Sequence, residues 1–186
     1  TCNAIVSKLC GQQKVLVLAY NSIIVEEMKE AFPNNCVVTT SHSFARKNTR
    51  PYREERLNTP LTMRTVQQVL DVPEKIKNMG CARFSEKVLN IVNKYCVSDS
   101  SSVGEFVALN MSSLLDAHEY ILKAELVKQC ERLWSIMTDR SSTCPVIHDV
   151  YLKEFVLLLE SGKITLDYEV VILDEGQDTV PVVKQM

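Results

Sequence analysis

Two adjacent carboxylates, Asp174 and Glu175, follow directly on the apolar run Val170-Val171-Ile172-Leu173. Four aliphatic residues without alternation predict a buried strand of a parallel sheet, covered on both faces. Open α/β sheets bind their ligands at the carboxyl ends of such strands. Neighbouring side chains on an extended backbone point to opposite faces, so the two carboxylates can divide their work. One suits a hydrated magnesium ion, and the other can orient a water and take its proton. A strand that simply ends in a polar turn would read the same over these six residues. Gln177 and Asp178 extend the polar set, either to support that chemistry or to cap a following helix.

A second group lies near the other end. Tyr20 and Asn21 follow the apolar run Val15–Ala19, and Thr40-Ser41-His42-Ser43-Phe44 follows Cys36–Thr39. Hydroxyls, an imidazole and backbone N–H groups at a strand-to-helix turn can hold a phosphate. His42 taken alone would equally serve as a cap or face solvent, and Phe44 reads as core. Tyr20 at a strand end can stack on a base or simply pack. Arg46, Lys47, Arg50, Arg53 and Arg56 come next, with Tyr52 among them and Glu54 and Glu55 diluting the charge. They read either as a contact that tracks a nucleic-acid backbone or as a solvated helix face.

These residues need elements to position them. Cys2 to Leu9 has helical spacing and Gly11 is a natural C-cap. Val15 to Ala19 predicts a central buried strand. In Ile23 to Phe32 the residues Ile24, Val25, Met28 and Phe32 share one helical face, capped by Asn21 or Ser22 and stopped by Pro33. Cys36 to Thr40 is a short β-branched strand. Helix, strand, helix, strand at these lengths predicts right-handed crossovers and a parallel sheet. From Leu61 to Gly162 the alternation stops. Thr62 to Leu70, Arg83 to Tyr95, Ala117 to Thr138 and His148 to Glu160 predict helices, with loops at Asp99–Ser102 and Arg140–Thr143. Trp134 and the stripe Tyr151, Phe155, Leu158 read as core. Residues 61–162 are thus expected to form a helical insertion subdomain, with the parallel sheet in 1–60 and 163–186.

Bulk properties limit the alternatives. The chain has 186 residues, 46% hydrophobic and 24% charged, which suits one globular domain with an inserted part. A net charge of −2 excludes coating nucleic acid by bulk electrostatics, though not a local strip. Seven cysteines without a C-x-x-C pair, and three scattered histidines, predict reduced buried thiols in an intracellular protein rather than a zinc site. Nothing resembles a signal peptide, and runs such as Phe155 to Leu159 are too short to span a bilayer. Thr1 is not an initiator methionine, and Thr179 with Pro181 reads as the start of a helix that is cut short. The chain is therefore expected to be part of something longer.

Asp174-Glu175-Gly176-Gln177-Asp178 resembles motif II, the Walker B motif, of the UvrD/Rep-type superfamily-one DNA helicases, which usually have Ala where this chain has Gly176. Tyr20-Asn21 resembles their motif Ia, and Thr40-Ser41-His42-Ser43-Phe44 their motif Ib. Arg132-Leu133-Trp134 and His148-Asp149-Val150-Tyr151-Leu152-Lys153 further resemble the F-box DNA helicase branch. The resemblance covers nearly the whole chain. It implies a P-loop NTPase (RecA-like) sheet interrupted by a helical insertion, ATP and Mg2+ as cofactors, and 3′ to 5′ movement on single-stranded DNA at forks or duplex junctions. The implied setting is repair, recombination and stalled-fork processing, in a nucleus for the F-box branch and otherwise in the cytoplasm.

By the same resemblance Asp174 organises magnesium, Glu175 is the base, and Gln177 and Asp178 support the nucleotide or couple it to DNA. Thr1 would be the magnesium-ligating hydroxyl that closes the phosphate loop, or else merely a first residue. Tyr20, Asn21, Thr40, His42, Ser43, Arg46, Lys47 and Arg50 would face DNA. The glycine-rich loop with its lysine is not in this sequence, so these 186 residues alone are expected not to hydrolyse ATP. A nucleic-acid-stimulated ATPase that does not unwind, or a non-catalytic scaffold on the same fold, are the alternatives.

Overall fold

The computed structural model describes residues 13–114, 122–176 and 179–186. Thr1, Gln177, Asp178 and the helix expected over Cys2–Leu9 lie outside them. The described chain is a small parallel sheet with helices on both faces. β1 (Val15–Ala19) is followed by α1 (Ser22–Ala31), β2 (Cys36–Thr40) and α2 (Ser41–Asn48). Then come α3 (Glu54–Asn58), α4 (Met63–Val69), α5 (Glu74–Cys96), α6 (Val103–Leu109), α7 (Met111–Leu114), α8 (Lys123–Thr138) and α9 (His148–Glu160). β3 (Val170–Leu173) returns to the sheet, and Pro181–Gln185 forms a 3-10 turn.

The strand order is β2-β1-β3, all parallel, with Leu18 opposite both Thr39 and Leu173. β1 is the middle strand and every residue in it is buried. Its side chains alternate between two cores, as a pleated strand requires. Val15, Val17 and Ala19 pack with Val25 and Val38, and against Ile24 and Met28 of α1 and Phe32 just after it. Leu16 and Leu18 join the larger core of Val88, Ile91 and Val92 from α5, Leu126 and Leu133 from α8, and Leu152 and Phe155 from α9. The helices from 61 to 162 therefore share a core with the sheet.

β3 departs from expectation. It was read as covered on both faces, yet Val171 is 42% exposed and the other three residues are only half-buried. Among the described residues β3 pairs with β1 alone, so it lies at a sheet edge and one flank lacks a neighbour. An aliphatic run records hydrophobic content but not the strand's place in the order.

The expected helices are present with shifted ends. α5 starts well before Arg83, because a first segment joins across Gly80 at φ 115°, a backbone conformation suited to glycine. α6 and α7 follow the expected loop at Asp99–Ser102, in residues to which the sequence reading assigns no element. The serine run before α6 supplies its cap: Ser102 Oγ accepts from the Glu105 N–H at 3.1 Å, and Glu105 accepts from the Ser101 N–H at 2.7 Å. Gly162, at φ 66°, ends α9 with its N–H on the Leu159 carbonyl. Thr179 does not cap the last turn. Its hydroxyl donates to the Glu175 carbonyl, and Val180 holds the N-cap position before Pro181.

Phe44, Tyr151 and Phe155 are core as expected, and Phe44 meets Phe155 edge-on at 5.6 Å. Trp134 is partly buried, edge-on to Tyr95 at 5.3 Å. Cys81, Cys96, Cys130 and Cys144 are free thiols. Burial pushes the Cys96 and Cys130 thiols well above the usual range, so both behave as small core groups rather than nucleophiles. No helix among the described residues is long and apolar enough to cross a membrane.

Candidate functional site

The carboxyl ends of all three strands open into one cleft of about 190 Å³. Ala19 and Tyr20 enter it from β1, Thr40, Ser41 and His42 from the β2–α2 junction, and Leu173 and Asp174 from β3. Thr179, Val180 and Val183 close the remaining side. Parallel pairing produces the convergence. The Asp174 N–H donates to the Leu18 carbonyl at 3.0 Å, carrying the β1–β3 ladder one residue past Leu173. Asp174 thus reaches the cleft as a continuation of a strand, on a rigid support.

Asp174 is half-buried, whereas Glu175 is exposed and the cleft wall includes the first but not the second. The extended backbone expected to part the two side chains is not kept here, because the chain turns at Asp174–Gly176. Glu175 holds a left-handed backbone at φ 49°, uncommon for a residue with a β-carbon. Such positions cost about 1 kcal/mol or more and concentrate at functional sites. Among the described residues no three His, Cys, Asp or Glu side chains form a metal cage. One carboxylate on a strand end is nevertheless a sufficient protein anchor for Mg2+, which retains waters and takes phosphate oxygens for its other positions.

Gly176 does not require glycine. Its φ is not left-handed, and a β-carbon would meet the Leu173 side chain at 3.6 Å, ordinary contact distance. Gly176→Ala is expected to raise stability to urea by about 0.4–1 kcal/mol by restricting the unfolded chain. A loss of comparable size would show that the turn depends on glycine.

The residues read as a DNA face divide into two sets. Tyr20 is 67% exposed on the cleft wall, beside Ile23 at 71% exposure, and so packs against little. Asn21 is committed locally: its Oδ1 accepts from the Ile23 and Ile24 N–H groups, both at 3.0 Å, and caps α1. Thr40 caps α2, its Oγ1 accepting from the Ser43 N–H at 3.2 Å and donating to Ser43 Oγ at 2.9 Å. His42 lies on the cleft wall with Nε2 2.9 Å from Asp149 Oδ1 and its ring edge-on to Tyr151.

The basic patch is smaller than the sequence implies. Arg46, Lys47, Arg50 and Arg53 are exposed, and Arg46 is paired with Glu54. Arg56 and Tyr52 are core instead, at 3% and 7% exposure. The Arg56 guanidinium donates to four backbone carbonyls, those of Ile136, Met137, Asp139 and Cys144, at 2.6–3.2 Å. Three of these come from the end of α8 and the residue after it, where helices leave carbonyls without partners. Tyr52 donates to Glu154 at 2.7 Å beneath the guanidinium of Arg140, 3.6 Å from the ring centre. A run of arginines cannot distinguish a helix-capping fork from a phosphate contact, since both use the same donors.

Two polar residues escaped a role in the sequence reading. Lys153 is fully buried, donates to the Ser98 carbonyl at 3.0 Å and sits over the Tyr95 ring, and burial lowers its pKa. Asp149 is the partner of His42. Both belong to the His148–Lys153 stretch, where Asp149 and Lys153 flank the apolar run Val150-Tyr151-Leu152.

Compared with protein-family models, with curated proteins and with solved structures, the chain matches none of them.

Proposed function

We propose that the chain is part of the first motor domain of an ATP-dependent DNA helicase or translocase of the UvrD/Rep type, on a RecA-like P-loop NTPase sheet. It would move 3′ to 5′ on single-stranded DNA in repair, recombination and stalled-fork processing. The observation that carries this reading is the shared cleft. Tyr20, Thr40 and His42 stand with Asp174 around one crevice, although they come from opposite ends of the sequence. Phosphoryl transfer asks a protein mainly for positioning and charge neutralisation; a carboxylate on a strand end would give the first and would hold the Mg2+ that gives the second. Asp174 would hold Mg2+, and bound ATP with its metal would supply the phosphoryl group. Glu175 would accept the proton of the water at its carboxylate oxygen. Tyr20 offers an exposed ring on which a base can stack, and Arg46, Lys47 and Arg50 offer charge to the strand's phosphates.

Binding of the full chain to labelled oligothymidylate tests this across a salt series. Tyr20→Ala is expected to cost about 1–3 kcal/mol with little change in salt dependence. Removing the charges of Arg46, Lys47 and Arg50 together is expected to flatten the salt dependence itself, because fewer counterions are released. If neither variant moves the isotherm, the cleft is not a DNA face.

A further inference from the structure

His42 is a cleft residue whose side chain is tied to another element. It lies in the first turn of α2, and its Nε2 meets Asp149 Oδ1, in the first turn of α9, at 2.9 Å. The two side chains are 42% and 39% exposed, so the contact lies at the rim and not in the core. Tyr151 fixes the ring from a second direction, edge-on at a centroid distance of 5.9 Å. The Tyr151 hydroxyl is itself 3.0 Å from His148 Nδ1, so three residues of α9 form the support. A carboxylate on one ring nitrogen decides which nitrogen carries a proton and where the other points.

We propose that Asp149 is a positioning residue, which holds the His42 imidazole at the cleft wall so that Nδ1 receives a phosphate oxygen of the bound ligand. This rests on the cleft being the nucleic-acid and nucleotide site argued above. Nε2 faces Asp149, which leaves Nδ1 as the ring nitrogen that can donate an N–H to an anion. The neighbouring groups fit that role: the Thr40 and Ser43 hydroxyls bond to each other across the α2 cap, at the positive end of a helix. The support also reaches the other wall in sequence. α9 ends at Glu160, and after residues 161–169 the chain enters β3, which leads directly to Asp174. Phosphate at this position comes either from a single strand or from a nucleotide, and the two sources separate experimentally.

The test uses the full chain, with oligothymidylate in one arm and ATP in the other, and follows the His42 imidazole by ¹⁵N NMR. Asp149→Ala and Asp149→Ser are expected to shift the His42 ring nitrogens and to weaken oligothymidylate binding about tenfold, the scale of a charge-assisted hydrogen bond. Neither adds to the effect of His42→Ala, because the carboxylate acts only through the ring. Asp149→Asn keeps an oxygen acceptor for Nε2 and is expected to restore affinity close to that of the parent. Serine suits a helix start, so the Ser variant answers the question if the Ala variant folds poorly.

A purely structural Asp149 gives a different result. Stability then falls while the His42 resonances and both affinities stay at parent values, and the proposal is overturned. If Tyr20→Ala weakens the strand but the Asp149 variants do not, the cleft reading stands and this inference falls. A loss confined to the ATP arm assigns the phosphate to the nucleotide and removes His42 from the DNA face. A parent chain that binds neither probe sinks the cleft reading and the inference with it.

Discussion

In the full-length motor proposed above, of which this chain would be a part, Glu175→Gln is expected to lower nucleotide turnover by about 10² or more while ATP binding stays near the parent value, the usual scale for losing a general base. Glutamine matches glutamate in size, so the substitution removes the proton acceptor and little else. The turn is also expected to keep its shape, because at φ 49° glutamine carries the same conformational cost as glutamate. Binding is expected to be spared because Asp174, the residue proposed to hold the metal, is unchanged. Single-turnover kinetics separates the two steps. Turnover within a few-fold of the parent would take Glu175 out of the base role, and a parallel loss of binding would place it in the nucleotide contact instead.

Arg56→Met is expected to destabilise the fold by about 3–4 kcal/mol in urea unfolding, because one substitution strands several buried carbonyls at once. The guanidinium serves Ile136, Met137, Asp139 and Cys144 together, and no single-nitrogen cation can reproduce that fork. Arg56→Lys is therefore expected to recover only part of the loss. Arg53→Met provides the contrast, since Arg53 is exposed and surface substitutions stay within about 0.5 kcal/mol. Equal effects at positions 53 and 56 would show that the carbonyl cluster is not what Arg56 stabilises. The same pair bears on the cleft: a DNA-binding defect in the Arg56 variant would reflect lost structure, not lost charge.

Local signals were legible in the sequence wherever the answer depended on neighbouring residues. The strands Val15–Ala19, Cys36–Thr40 and Val170–Leu173 and the Asn21 cap were all readable, because β-branched runs and polar caps act within a few residues. The mixed α/β class with parallel pairing followed from their alternation. Strand order was not legible: β3 was expected to be covered on both faces, whereas among the described residues it pairs with β1 alone and is at most half-buried. Side-chain partners across the fold were not legible either. Arg56 reaches Asp139 and Cys144, and His42 reaches Asp149, over separations that no periodicity encodes. The cleft was legible in part: Tyr20, Thr40, His42 and Asp174 were each singled out by type, but only the sheet shows that they face one crevice. Val180 and Val183 on its far side carry no such mark.

The middle strand has a consequence beyond the cleft it helps to form. Val15, Val17 and Ala19 belong to one apolar layer and Leu16 and Leu18 to the other, so a single five-residue segment is a wall of both. Neither layer can come apart without baring the reverse side of the other, and the hydrogen-bond ladders to β2 and β3 would break in the same event. The two faces of the sheet are therefore bound into one unfolding transition, and a small void opened at Val17 would weaken the helices beyond Leu16 as well as α1 beneath it.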